Sequence, residues 1–373
     1  MKTKTVTNFL KVTFLFSLAF ASLTSFAQEA EEEKWFDNFS ISGSVDGYYR
    51  YNIGAPNDNS VAPGTSFANE SGFALGMANT IIGYEGEKVG FVADLVFGQR
   101  GEDAVFNSDD SAQIVNQLYV YWNVSEKVKF TFGNFNTFLG YEVISPTGNF
   151  NYSTSYMFSY GPFSHTGLKA DFTLSDKWSA MLAVMNPTDF TENNPYDTYI
   201  VGVQLGYTGD SGSAFLNFRY GNEGEPGEVG PTFQADLTTG WDIVDDFYLG
   251  VNATYLSTED QGDGDASGFY GVALYPQYKT SEKFTLGLRG EFFAQYNGGL
   301  VSIDGTELSS PIAFDDEGDG DVIAVTLTGS YDVGNLTLKP EFRIDSSDDA
   351  FVDNDLEVTS SLSSFVLGAI YKF

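Results

Sequence analysis

The chain has no cysteine and a single histidine, His165, among its 373 residues. The first absence excludes a disulfide framework and a lipid anchor on a processed cysteine. Together they leave a His- or Cys-based metal centre without ligands. Basic residues are scarce: 18 Lys and Arg stand against 51 Asp and Glu, a formal net charge of −33. Nucleic acid is therefore not an expected partner, because phosphate binding needs clustered Lys and Arg. No segment beyond the N-terminal leader has about 18 consecutive apolar residues, so a helical membrane span is excluded. Any spanning structure must be a barrel. Serine-hydrolase chemistry also lacks its parts: Ser164 merely neighbours His165, and no G-x-S-x-G elbow is present. No enzymatic activity is expected, and His165 reads as a residue that fixes the local chain path.

What is present begins with an export signal. Lys2, Lys4 and Lys11 surround the start of an apolar run, VTFLFSLAFASL, and Ser25-Phe26-Ala27 precedes Gln28 as a small-x-small cleavage site. Residues 1–27 are expected to be removed, residues 28–37 to form a short periplasmic segment, and residues 38–373 to fold as one domain. Without the three leader lysines the balance becomes 51 acidic against 15 basic residues. Aromatics make up 16% of the chain, too many for a disordered acidic protein, so the acidity sits on a folded body.

From Phe39 onward the sequence is a comb of alternating segments of roughly ten residues, each closed by a turn signal. In the last one Phe365, Leu367, Ala369, Tyr371 and Phe373 share one face, while Val366, Gly368, Ile370 and Lys372 share the other. Period two means strand. Tight turns at 85–87, 125–126, 175–176, 209–210, 245–246, 281–282 and 334–335 alternate with longer polar connections at 53–72, 100–112, 136–163, 187–197, 221–231, 257–268, 297–320 and 346–361. Seven short and eight long connections require sixteen strands, with both ends of the domain on the short-turn side. The expected fold is an all-β transmembrane antiparallel barrel of about sixteen strands, with short periplasmic turns and long external loops. One register carries apolar residues only, such as Tyr199, Val201, Val203, Leu205 and Tyr207; the opposite register carries Asn217, Arg219, Asn252, Thr254, Thr326 and Thr328. A secreted sandwich has the same period, but its apolar face points inward and aromatics need not gather at strand ends. Here Trp122, Trp178, Tyr207, Trp241, Tyr331, Tyr371 and Phe373 lie beside the short turns, as a membrane-interface girdle requires.

The charge sorts with this topology. The eight long connections hold 28 acidic residues and one base, Arg100, whereas Lys88, Lys127, Lys177 and Lys283 lie at short turns. Acidic loops keep an exposed surface soluble, and they also concentrate cations at a channel mouth. Asp263 and Asp265, and Asp315, Asp316 and Asp319, lie in stretches with the oxygen density calcium prefers, but neither stretch has EF-hand spacing; no cofactor is expected, and loop-bound calcium is only a weak candidate. Inward-facing bases are Arg50, Lys169, Arg219, Arg289, Lys339 and Arg343, against Asp46, Asp94, Asp171, Asp236, Glu291, Glu341 and Asp345. These either offset one another in pairs or form a constriction with opposed charged walls. Arg50, Arg289 and Arg343 fall on the first, thirteenth and fifteenth strands, which neighbour one another once the barrel closes. The longest connection, 136–163, contains Glu142 but no Lys or Arg, together with Phe138, Tyr141, Phe150, Tyr152, Tyr156, Phe158 and Tyr160. Such an apolar loop is expected to fold inward, with Glu142 facing the arginines, rather than stay in water. The competing expectation is that its aromatics cap the rim or an oligomer contact.

The same stretch resembles the OmpL-like β-barrel porin family. The resemblance rests on Gly133-x-Phe135, Gly140-Tyr141-Glu142, Asn151-Tyr152-Ser153, and Gly161-Pro162-Phe163 leading to His165-Thr166-Gly167. It implies a channel of the Gram-negative outer membrane without naming a solute. The expected function is passive diffusion of small hydrophilic solutes or ions with a mild cation preference. A sugar- or oligosaccharide-specific channel with Tyr48, Tyr119 and Tyr121 as a stacking track is one alternative. A non-conducting barrel with a structural or adhesive role is the other. Expected partners are outer-membrane lipid, the barrel assembly machinery through the C-terminal strand, and small polar solutes. A homotrimer is expected at the level of fold analogy alone.

Overall fold

The computed structural model describes residues 36–108, 110–262, 264–299, 312 and 315–373. The leader and Asp263 therefore lie outside the described residues. Sixteen strands alternate along the chain: β1 (Phe39–Ile53), β2 (Gly72–Glu85), β3 (Val89–Phe97), β4 (Val115–Ser125), β5 (Val128–Asn136), β6 (Ser164–Thr173), β7 (Trp178–Met185) and β8 (Ile200–Thr208) form the first half. The second half is β9 (Gly212–Asn222), β10 (Pro231–Val244), β11 (Phe247–Thr258), β12 (Ser267–Lys279), β13 (Phe284–Tyr296), β14 (Gly320–Val333), β15 (Leu336–Val352) and β16 (Val358–Lys372). Each strand pairs with its sequence neighbours, and β1 pairs antiparallel with β16, closing the barrel. Closure removes the unpaired edges that a membrane-embedded sheet cannot tolerate. The seam extends through Phe373, which exchanges backbone hydrogen bonds with Gly43 at 3.0 and 3.1 Å.

The two faces are inverted relative to a water-soluble sheet. Val120, Phe132, Val201, Leu274, Ile323, Val325 and Phe342 are exposed, while Asn217, Thr326 and Thr328 on the other register are fully buried. An apolar exterior around a polar interior is stable only where hydrocarbon is the outer solvent. Near the short turns Trp178 packs edge-on against Tyr207, with ring centroids 5.0 Å apart, and Tyr207 stacks on Trp241 at 6.3 Å. These rings form an arc over β7, β8 and β10. Trp122, Tyr331, Tyr371 and Phe373 are exposed on the same side of the barrel.

The outer connections depart from the sequence-based expectation in two ways. The outer connections carry short helices at Gln99–Ala104 and Tyr156–Ser159 and a 3₁₀ turn at Asp110–Ile114, where only loop was expected. The final outer connection shrinks to residues 353–357, because Phe351 pairs with Thr359 and Val352 with Val358. Phe351 and Leu362 bury there with Ala55 and Val61, which gives the extended hairpin its own small core.

Candidate functional site

The connection between β5 and β6 lies within the barrel and is bonded to many strands. Its first segment is fixed by Thr137, whose Oγ1 lies 3.0 Å from His165 Nε2, and by Gln204 of β8, whose amide donates to Phe138 O at 3.3 Å. Gly140 adopts φ +85°, a conformation that favours glycine, and donates its N–H to Asp236 of β10 at 2.9 Å. Tyr141 stacks on Tyr275 of β12 at 4.2 Å, and its hydroxyl meets that of Tyr248 of β11 at 2.9 Å.

The central segment meets the charged wall. Arg289 Nη1 donates to Glu142 Oε1 at 2.6 Å and to Ser153 O at 2.7 Å, and its Nη2 donates to Thr154 O at 3.1 Å. Glu142 Oε2 also accepts from Ser155 N at 2.7 Å. Arg343 donates through Nη1 to Thr154 O at 2.7 Å and is bound by Asp345 at 2.7 Å through Nη2. Glu341 accepts from Tyr152 N at 2.9 Å, from Thr328 Oγ1 at 2.8 Å and from the Ser153 hydroxyl. Glu291 accepts the first two N–H groups of the one-turn helix, Tyr156 N at 3.0 Å and Met157 N at 2.8 Å, and Ser155 caps the same turn through Phe158 N at 3.1 Å. A carboxylate at that position satisfies donors the helix cannot satisfy itself. Lys339 binds the carbonyls of Pro146 and Asn149, and Tyr152 donates its hydroxyl to Asp46 at 2.5 Å.

These contacts give the inward charges a specific task. Arg289 and Arg343 face inward but are at most 1% exposed, and Glu142, Glu291 and Glu341 are buried with them. Rather than meeting lumen water, they clamp backbone groups of the loop. Burying such groups carries a large desolvation cost, offset here by charge-assisted bonds to loop carbonyls, N–H groups and the Ser153 hydroxyl. Arg50 is similarly engaged with Asn52 Oδ1 at 2.6 Å and Asn69 O at 2.9 Å. Arg219 binds Gln234 at 2.6 Å and pairs with Glu223 at the outer end of β9. Asp94 is cradled by Asn79 at 3.1 Å and Asn116 at 2.7 Å, and Asp236 by Asn217 at 3.0 Å and Asn252 at 2.7 Å. Lys169 and Lys129 both approach Asp171, at 3.7 and 4.0 Å, and their side chains keep 23% and 47% of their exposure. This cluster on β5 and β6 is separate from the arginine wall and carries one net positive charge. Of the tyrosines considered as a stacking track, Tyr48 is buried against Tyr152 with centroids 5.6 Å apart, whereas Tyr119 and Tyr121 on β4 are part-exposed.

Two participants escaped the sequence reading. Arg100, on the helix Gln99–Ala104, is buried, donates from Nε to Ile144 O at 2.8 Å and lies 4.5 Å from the Phe67 ring centroid. Its signal was available: a lone base among 28 acidic residues of the outer connections is conspicuous. Lys129 was missed because it adjoins a short turn, where lysine reads as periplasmic decoration. In the acidic loops, Asp260 and Asp315 accept backbone N–H groups of their own turns, such as Gly262 N at 2.6 Å and Glu317 N at 2.9 Å. Asp316, Asp319 and Asp265 do not assemble with them: among the described residues no three metal-ligating side chains converge.

The loop divides the lumen. On the short-turn side a cavity of about 360 Å³ lies beneath Thr137–Tyr141, and one of about 180 Å³ lies beneath Asn149 and Lys339. On the outer side a cavity of about 240 Å³ is lined by Tyr48, Glu70, Arg100, Asp103 and Tyr152. Across Gly140 from the cavity of about 360 Å³ lies a space of about 10 Å³, close to the volume one water needs.

A family model described as "Putative beta-barrel porin-2, OmpL-like" matches residues 38–373. Among solved structures, the anion-selective porin from Comamonas acidovorans superposes with a TM-score of 0.60 at 11% identity, covering 90% of this chain and 99% of that one. The outer membrane channel DcaP of Acinetobacter baumannii gives 0.56 at 16% identity over 90% and 97% of the two chains. OmpT of Vibrio cholerae, in its outer-membrane expressed form, gives 0.56 at 12% identity over 90% and 97%. No curated protein sequence matches the chain. At these identities the superpositions speak for the barrel architecture alone. The family match spans the entire barrel, and the chain belongs to the OmpL-like β-barrel porin family of the bacterial outer membrane.

Proposed function

We propose that this porin provides passive diffusion for small hydrophilic solutes and ions, with a mild preference for cations, and that it has no enzymatic activity. The observation that carries the reading is the loop between β5 and β6, clamped inside a closed sixteen-strand barrel by buried charges. Sixteen strands enclose more space than side chains fill, and an inward loop narrows that space to solute dimensions. The ion preference follows from the outer connections, where 28 acidic residues stand against one base, and that base, Arg100, is buried. The potential at the outer mouth is then negative, which concentrates cations and repels anions. Residues 1–27 serve as the export leader and residues 28–37 as a periplasmic segment in this proposal. The C-terminal strand is the part offered to the barrel assembly machinery, and the assembly is a homotrimer, as in the trimer form of Vibrio cholerae OmpT.

Reconstitution into planar bilayers tests the reading: stepwise current openings are expected. One observation favours a second reading, a sealed barrel with a structural or adhesive role. Ile144, Phe158 and Phe163 of the long loop bury together with Phe67, Met77 and Val96, so the loop seats on a dry core as a plug would. Electrical silence of correctly folded protein would select that reading.

A further inference from the structure

The cavity of about 360 Å³ on the short-turn side differs from its surroundings in chemistry. In a chain of 51 acidic and 18 basic residues, no side chain lining it is charged. Two rings, Phe138 and Phe215, are combined with the hydroxyl of Thr238, the amide of Gln204 and the paired hydroxyls of Tyr141 and Tyr248. Glycine makes room for both tyrosines: a Cβ on Gly240 would sit 1.8 Å from the Tyr248 hydroxyl, and one on Gly250 would sit 2.3 Å from that of Tyr141. Tyr141 is held from behind by its stack on Tyr275, so its hydroxyl is presented at a fixed position. The volume lies within the range of small-molecule sites, about 300–1,000 Å³.

Rings beside hydroxyl and amide groups, with no charge, match a solute that has apolar C–H faces and a rim of hydroxyls. An ionic solute would lose hydration there without meeting a counter-charge. We propose that this cavity is a binding station for a neutral, polyhydroxylated solute of mono- or disaccharide size. It is entered from the periplasmic mouth and roofed by Leu139 and Gly140, which Asp236 holds in place. The proposal rests on the channel reading only in putting this station on a route of permeation.

The test is calorimetric titration of the full chain in detergent micelles with maltose, glucose and, as a charged comparator, glucuronate. Maltose or glucose is expected to saturate one site per chain, with glucuronate at least about tenfold weaker. Tyr248→Phe removes one hydroxyl and should weaken sugar binding about five- to tenfold. Ser213→Phe projects a ring from β9 into the cavity and should abolish binding, with the heat-modifiable electrophoretic mobility of the folded barrel retained in both variants. Absence of saturation with both neutral sugars overturns the proposal, and so does unchanged affinity in the folded variants. Micellar binding needs no current, so binding without channel openings removes the channel reading and leaves the site. Openings without binding do the reverse.

Discussion

Replacing Arg289 by methionine perturbs the loop clamp at its most connected point. The guanidinium makes five hydrogen bonds: to Glu142 Oε1, Ser153 O, Ser153 Oγ, Thr154 O and Thr326 Oγ1. Methionine is apolar and fills much of the same volume, so the principal loss is electrostatic. Glu142 would stay buried without its counter-charge, with Ser155 N as its remaining close partner. Breaking a buried pair from one side costs about 3–5 kcal/mol. At 1.4 kcal/mol per decade that raises the undocked population of the loop between roughly 10²- and 10⁴-fold. The barrel ladder is untouched, so folding into detergent and heat-modifiable mobility should persist. Single-channel recording should show frequent excursions to larger conductance, absent or rare in the parent. The double variant Glu142→Gln/Arg289→Met leaves neither charge stranded and should recover part of the loss, the non-additivity expected of directly bonded residues. Traces of Arg289→Met indistinguishable from those of the parent, with no coupling in the double variant, would refute the clamp.

Glu291→Gln should loosen the one-turn helix at Tyr156–Ser159, because its amide keeps an acceptor for only one of the N–H groups of Tyr156 and Met157 and turns a donor toward the other; a cost of about 1–3 kcal/mol should appear as increased open-channel noise. The Asp103 carboxyl is pushed up to about 6, by desolvation first and then by Glu102 and Glu70, although the residue as a whole lies on the exposed outer surface. It is charged above that pH and neutral below it, so cation preference should fall as pH is lowered from 7 to 5, and Asp103→Asn should flatten that step in reversal-potential titrations. Leu288→Arg puts a charge on the lipid-facing register of β13; insertion into vesicles should weaken by about 2–4 kcal/mol if the site is near the midplane, read from urea-dependent folding, whereas insertion unchanged from the parent would mean that this face does not meet hydrocarbon.

The barrel was legible because its information is local. Period-two alternation in β11 or β13 needs no knowledge of the partner strand, and turn signals such as Gly334-Asn335 fix where each hairpin reverses. Strand count and closure then follow from parity. Side-chain direction was equally readable: the alternation that turns Val325 outward turns Thr326 inward. What the pattern does not contain is the destination of the long loop's polar groups. Arg343 and Thr154 are 189 positions apart, and Lys339 meets Asn149 across 190. No periodicity encodes such pairs, so residues read as facing water could not be told from residues that hold backbone. Arg100 shows the same limit, since its partners Ile144 and Tyr152 lie in another loop. The helices at Gln99–Ala104 and Tyr156–Ser159 were missed because one or two turns are too short to establish a 3.6-residue period.

On the proposed function, water and ions cross this barrel past a clamped loop and beneath an acidic outer mouth. Reversal potential across a bilayer holding the reconstituted protein in a potassium chloride gradient tests it most directly. Channel openings are expected whose reversal potential lies toward the potassium equilibrium value, moving toward zero as salt screens the mouth. A folded protein that passes no current, or one that reverses toward the chloride value, would contradict it.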